Sequence, residues 1–423
     1  MSEVISNLLS DIKLPKMVKI RQNFPRPKID DIPLAVYNEI SKPEIAKTIK
    51  SGESIAITVG SRGVANVALI TKEVVKVVKS LGGNPFIVPA MGSHGGATAE
   101  GQREVLESFG VTEEYIDAPI KSSMEVKEIG RTEDDRPVLI DKHAAEADGI
   151  IVVGRIKPHT AFRGKYESGL MKMMTIGLGK QKGADTCHEA GFKHMAYNVP
   201  LFANAILKHA NVLFGLGLIE NPYDETCRII ALEKDEIPEK EPDLLIEAKN
   251  LMPKIMFDKF DVLVVDEIGK NISGDGMDPN ITATYCTPYA SGGPEIQRVV
   301  VLDLTEETHG NAVGMGMADF ITKKLFDKAD LDKSYPNALT ATVSSTVKIP
   351  MIMKSDRLAI AAAVKICNEI DKNNARIVRI KNSLHVGEIY ISEALLEEAK
   401  RNPDIEILGE PEYFAFDDQG NLF

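Results

Sequence analysis

The sequence predicts an α/β protein of two domains, the first built on a doubly wound, mostly parallel sheet and the second a smaller α/β domain. Three observations carry this reading. Short apolar runs alternate with helix-periodic segments between residues 54 and 178, glycine-rich turns follow the apolar runs directly, and a second set of such runs with different spacing begins near residue 260.

Residues 54–60 (SIAITVG) are mostly apolar, the pattern of a buried strand. After the turn SRGVAN, residues 67–81 have helical periodicity and stop at Gly82-Gly83. NPFIVPA (84–90) is the next strand. The turn MGSHGGAT then opens a helix that runs to Phe109-Gly110, with Thr98 as N-cap and Glu100 in the first turn. GIIVVG (149–154) is a further strand, leading through the loop RIKPHTAFRGKYES into the helix-like GLMKMMTIGL.

In such a sheet, ligands gather outside the carboxyl ends of the strands. Arg62, His94 and His159 each lie a few residues past such an end, so they fall on one edge. The charged stretch EKDEIPEKEPD (233–243) reads as a surface loop. A boundary near 255 separates an N-terminal cofactor-binding and catalytic domain (1–255) from a C-terminal substrate-contacting domain (256–423), with the active site expected in the cleft between them. In the second domain DVLVVDEI (261–268), RVVVLDL, ARIVRI and EIYIS read as strands, and 318–325 and 358–370 as helices.

Composition narrows the partners. The 62 acidic residues outnumber the 50 Lys and Arg, giving a net charge of -12 that repels a phosphate backbone, so no nucleic acid is expected. Cys187, Cys227, Cys286 and Cys367 form no CxxC pair, which suits reduced thiols and a cytoplasmic protein. The N-terminal MSEVISNLLSDIKLPK lacks the apolar core of a secretory signal. The most apolar long segment, 200–219, carries Asn204, Lys208, His209 and Asn211, so no membrane partner is expected either.

Four places could carry chemistry. The loop containing His94, Gly95, Gly96 and Thr98 joins a strand to a helix N-terminus, where free N–H groups favour a phosphate or carboxylate; the plainer reading is a tight turn with a solvated histidine. His159 sits among Lys157, Arg163 and Lys165, either as a proton carrier or as a loop histidine bonded to a carbonyl. Lys172 lies inside a nearly apolar run, so it either snorkels to the surface or is neutral or covalently modified. Cys187-His188-Glu189 offers metal ligands but has no HxxxH or CxxC partner.

Familiar motifs are missing. There is no GxGxxG after the first strand, GLGKQKGA lacks the end of a P-loop, and Ser93 is not in GxSxG. In the later loop GKNISGDGMDPN, Asp275 and Asp278 either touch a polar ligand or magnesium, or shape the turn.

The order MGSHGG (His94), KPHTAF (His159), ESGLMK (Lys172) and TCHEAG (His188) resembles the nickel-dependent lactate racemase family over most of the first 250 residues. Sixteen residues separate Lys172 from His188, as in that family. The stretch from His159 to Lys172 is longer than usual, SGLMK stands where SGGRK is common, and Val59 replaces an aspartate ahead of the arginine.

The resemblance implies a nickel-pincer nucleotide attached covalently to Lys172, its nickel bound by His188. His94 and His159 would be the acid/base pair for a hydride transfer that inverts C2 of a 2-hydroxy acid. Arg62 and the helix start at Gly95, Gly96 and Thr98 would hold the cofactor phosphate or the substrate carboxylate. Cofactor-assembly enzymes are the implied protein partners. The family's Gln-x-x-Lys substrate arrangement has no counterpart here, and Lys270, Asn271, Asp275 and Asp278 suggest a more polar 2-hydroxy acid than lactate, such as an aldonic acid or malate. A non-catalytic carrier of the nickel nucleotide or a metal, and a zinc-dependent lyase or hydrolase using the same histidines, are the competing readings.

Overall fold

The computed structural model describes residues 3–61, 63–189 and 191–423. The chain divides into two compact units, Pro25–Met252 and a second made of Met1–Phe24 with Pro253–Phe423. The expected first domain therefore loses its N-terminal end. Strand β1 (Met17–Gln22) belongs to the second unit, where its backbone groups are satisfied by antiparallel partners from the C-terminal part of the chain.

The Pro25–Met252 unit holds β2 (Ser54–Val59), β3 (Asn84–Pro89), β4 (Val126–Arg131), β5 (Pro137–Asp141), β6 (Gly149–Arg155), β7 (Val212–Glu220) and β8 (Thr226–Glu233). Its main sheet runs β3-β2-β6-β7-β8, parallel except for the β7–β8 pair, and β4 with β5 makes a separate antiparallel ribbon. Successive strand residues point to opposite faces. Ala56, Val88 and Val152 accordingly join one apolar core while Ile55, Ile57, Ile87, Ile151 and Val153 join another. Burial on both faces explains why these strands read as unbroken apolar runs rather than alternating ones.

The helices Val67–Ser80 and Ala99–Ser108 follow β2 and β3, and Thr98 caps the second by accepting from Gly101 N at 3.0 Å. Residues 233–243 are a correction. They form a short 3₁₀ turn and then the start of the helix Ile237–Asn250, because Ile237, Leu244, Leu245 and Ala248 give the segment a buried face that its charges disguise. Pro238 sits in the first turn, where its missing N–H costs nothing. Pro242 leaves the carbonyl of Pro238 without its helical donor, and the Tyr166 hydroxyl donates to that oxygen at 2.6 Å.

The second unit carries β9 (Lys259–Ile268), β10 (Glu295–Leu304), β11 (Phe320–Thr322), β12 (Met351–Met353), β13 (Ile377–Ile380), β14 (Glu388–Ser392) and β15 (Ile405–Ile407). Its sheet order is β12-β11-β10-β9-β13-β14-β1-β15. The helix expected at 318–325 is instead β11 followed by the helix Lys323–Lys328, since Phe320 and Ile321 pair with β10 and Thr322 caps the helix. The expected 358–370 helix is Asp356–Ile366, capped by Ser355. Among the described residues, no helix is long and apolar enough to cross a membrane.

Candidate active site

Three adjacent parallel strands set the geometry. His94 follows β3, Arg62 follows β2 and His159 follows β6, so the two histidines leave the sheet from strands two positions apart, about 10 Å at the usual strand spacing. Arg62 itself lies outside the described residues.

The His94 loop is tightly folded. Gly95 and Gly96 both have φ of +65°, and a Cβ on Gly95 would lie 2.6 Å from the backbone of Gly101 and Gln102. Only glycine fits there. His94 is exposed, and its Nδ1 lies 2.7 Å from Met91 O. The loop docks on the segment that carries Lys172 through a 3.1 Å bond from Gly92 N to Gly177 O.

His159 is fixed from several sides. Its N–H donates to Glu167 Oε2 at 2.7 Å, its Nδ1 accepts from Ala161 N at 3.0 Å, and its ring stacks at a tilt on Phe162. With Nδ1 occupied as an acceptor, Nε2 carries the proton of the neutral ring. It shares a 2.5 Å hydrogen bond with Lys172 Nζ. Burial, then the positive charges of Lys172 and Lys157, keep the His159 imidazole well below its ordinary pKa.

Lys172 ends a single α-helical turn, Leu170–Lys172, and a π-helical turn, Met173–Gly177, follows at once. Such π turns recur at functional sites because they re-aim side chains. The turn starts on a buried carboxyl: Glu241 Oε2 accepts from Met171 N at 2.9 Å. A Cβ on Gly169 would come within 2.2 Å of Glu241 Oε1, so a larger residue there would displace this carboxyl. Burial raises the Glu241 carboxyl to about 7, against the lowering effect of the Met171 and Leu170 amides.

His188 ends the helix Lys180–His188, its ring 5.8 Å from Phe192, which also lies 6.3 Å from the His159 ring. Burial and the Lys172 charge push its pKa down to about 4, so at neutral pH it is an uncharged imidazole with a lone pair to offer. Its neighbour Cys187 is inert, its thiol pushed up to about 12 by burial. The structure thus brings His159, Lys172 and His188 together, with the His94 loop packed against the same segment.

Sequence reasoning missed the carboxylates behind this cluster. Glu167 is wholly buried, taking His159 N, Arg163 Nη1 and Lys249 Nζ. Glu220 is also buried, pairing with Arg155 at 2.5 Å and accepting from Ala65 N at 2.7 Å. Glu241 stood in the segment read as a surface loop, and nothing in its local sequence marks it.

In the second unit, the loop after β9 is internally bonded. Lys270 Nζ donates to Gly274 O at 2.5 Å, Asn271 Oδ1 accepts from Thr305 Oγ1 at 2.7 Å, and Asp278 caps the helix Pro279–Thr282 through Asn280 N. Asp275 Oδ2 is buried with no hydrogen-bond partner among the described residues.

The fold and this cluster define a chain similar to the lactate racemases. Residues 9–198 match the family model of the lactate racemase N-terminal domain. A solved structure, the lactate racemase apoprotein from Thermoanaerobacterium thermosaccharolyticum, shares the fold with a TM-score of 0.52 at 16% identity, covering 86% of this chain and 94% of that one. No curated protein matches the chain. The likeness to the solved structure is one of fold, and the family model matches the chain over residues 9–198.

Proposed function

We propose that the protein is a racemase or epimerase that inverts C2 of a 2-hydroxy acid, with a nickel-pincer nucleotide joined to Lys172 and its metal bound by His188. The observation that supports this is the convergence of His159, Lys172 and His188 within a segment that matches the lactate racemase N-terminal domain. The side chains fit such a group. His188 presents a neutral imidazole, a suitable nitrogen donor for such a metal. When bound, such a cofactor supplies an acceptor for the C2 hydride.

The chain's own part is proton handling and positioning. Inversion needs a proton carrier on each face of the substrate carbon. His159 and His94, set at strand ends two positions apart, would be the proton carriers for the two faces. The start of the helix Ala99–Ser108, with Gly95, Gly96 and Thr98, favours an anionic group of cofactor or substrate. We favour an aldonic or malate-like acid over lactate as substrate, and cofactor-assembly enzymes as partners.

The test is to produce the protein in cells with and without those enzymes, then record intact mass, the mass of the Lys172 peptide, nickel content and inversion of a panel of 2-hydroxy acids. We expect an adduct on Lys172, bound nickel and turnover only in the first case. An active protein with unmodified Lys172 overturns the proposal, and an adduct with nickel but no turnover of any acid would point to a carrier.

A further inference from the structure

The helix that ends at His188 begins on a residue in an unusual setting. Lys180 is completely buried, yet its backbone has φ of +54°, a left-handed conformation that costs a non-glycine residue roughly 1 kcal/mol or more. It lies midway between Lys172 and His188, three residues past the π-helical turn. A buried ammonium persists only where partners replace its water.

Those partners span three elements. Lys180 Nζ donates to Pro89 O at the end of β3 at 2.5 Å and to Gln102 Oε1 at 2.9 Å, and pairs with Asp141 Oδ2 at 3.2 Å. Asp141 and Gln102 are as buried as the lysine. Gln102 then donates through Nε2 to Gly92 O at 2.9 Å and to His94 O at 3.2 Å. Because the ammonium claims Oε1, the amide cannot flip; its two N–H groups are forced towards the His94 loop.

The geometry points to Lys180 as a positioning residue that, through Gln102, aims the His94 loop at the segment carrying Lys172 and His188. Its catalytic significance rests on the racemase reading, but the tie itself does not. A merely structural lysine would be replaceable by an apolar side chain with its acid neutralised. Here that exchange leaves the core filled and releases the loop.

Two kinds of variant separate the effects in the full-length protein. Gln102→Met keeps the volume and removes both donors to the loop, and Gln102→Glu still accepts from Lys180 but cannot donate to the carbonyls. Lys180→Met combined with Asp141→Asn removes the charge pair at its source. We expect amide hydrogen exchange over 92–98 and acylation of His94 by diethyl pyrocarbonate to rise at least about 10-fold in the Gln102 variants, with exchange over 170–188 unchanged. In cofactor-loaded enzyme, kcat should fall about 100-fold while KM and the Lys172 adduct stay within about twofold, as a small misplacement of one acid/base group demands.

Wild-type exchange and acylation in both Gln102 variants would overturn the inference, whether or not the double variant folds. A loosened loop in a protein whose wild type turns over no 2-hydroxy acid would support the tie and reject the racemase reading.

Discussion

Glu241 makes the structure testable through pH. Its carboxyl has a pKa of about 7 in the folded protein, against 4.5 as the ordinary value, because burial penalises the charge more than the two helix amides favour it. The folded state therefore binds the proton more tightly than the unfolded one. Stability from this group is complete below pH 4.5 and is lost as pH rises towards 7, at about 1.4 kcal/mol per pH unit, or about 3 kcal/mol in all. Glu241→Gln keeps an acceptor for Met171 N but does not ionise.

Whatever fixed cost that variant carries, its stability relative to wild type should improve by about 2–3 kcal/mol between pH 5 and pH 8. For a unit of this size that corresponds to a relative gain in melting temperature of roughly 5–10 °C. The assay is thermal unfolding of both proteins in matched buffers. His188 acts in the opposite sense, its contribution being lost as pH falls from 6.5 to about 4, so the comparison has to be variant against wild type at each pH. An equal gap in melting temperature at pH 5 and pH 8 would refute the buried-carboxyl argument.

Other outcomes follow from the same geometry. Glu167→Gln removes the charged acceptor of His159 N and Lys249, and should destabilise the Pro25–Met252 unit by about 1.5–3 kcal/mol, read as a lower melting temperature. Gly95→Ala, which meets backbone atoms at 2.6 Å, should cost clearly more stability than Gly96→Ala, where nothing lies within 4 Å and only the φ of +65° is penalised, by about 1 kcal/mol. In cofactor-loaded protein, nickel retention should be flat from pH 8 down to about 5 and fall towards pH 4 as His188 protonates; half-loss near pH 6.5 would contradict the lowered His188 pKa.

Much of the first unit was written locally. Strands buried on both faces are continuous apolar runs, so β2, β3 and β6 were legible, and with them the strand ends that His94 and His159 follow. Lys172 stood out because an ammonium among methionines breaks the local pattern. The 233–243 helix was hidden because its buried positions are interleaved with Lys, Glu and Pro, so that charge outweighed periodicity.

What the sequence by itself determined is therefore whatever short-range pattern encodes: strand and helix periods, caps, glycine turns and the odd lysine. Tertiary structure alone decided that His159 Nε2 meets Lys172, that β1 joins strands more than 350 residues away, and that Glu167, Glu241 and Lys180 sit beneath the loops they hold. A carboxylate or lysine on a surface loop and one buried under an active site look alike in a sequence. Their roles come from lost solvent and from partners brought in by folding, and neither is a property of the neighbouring residues.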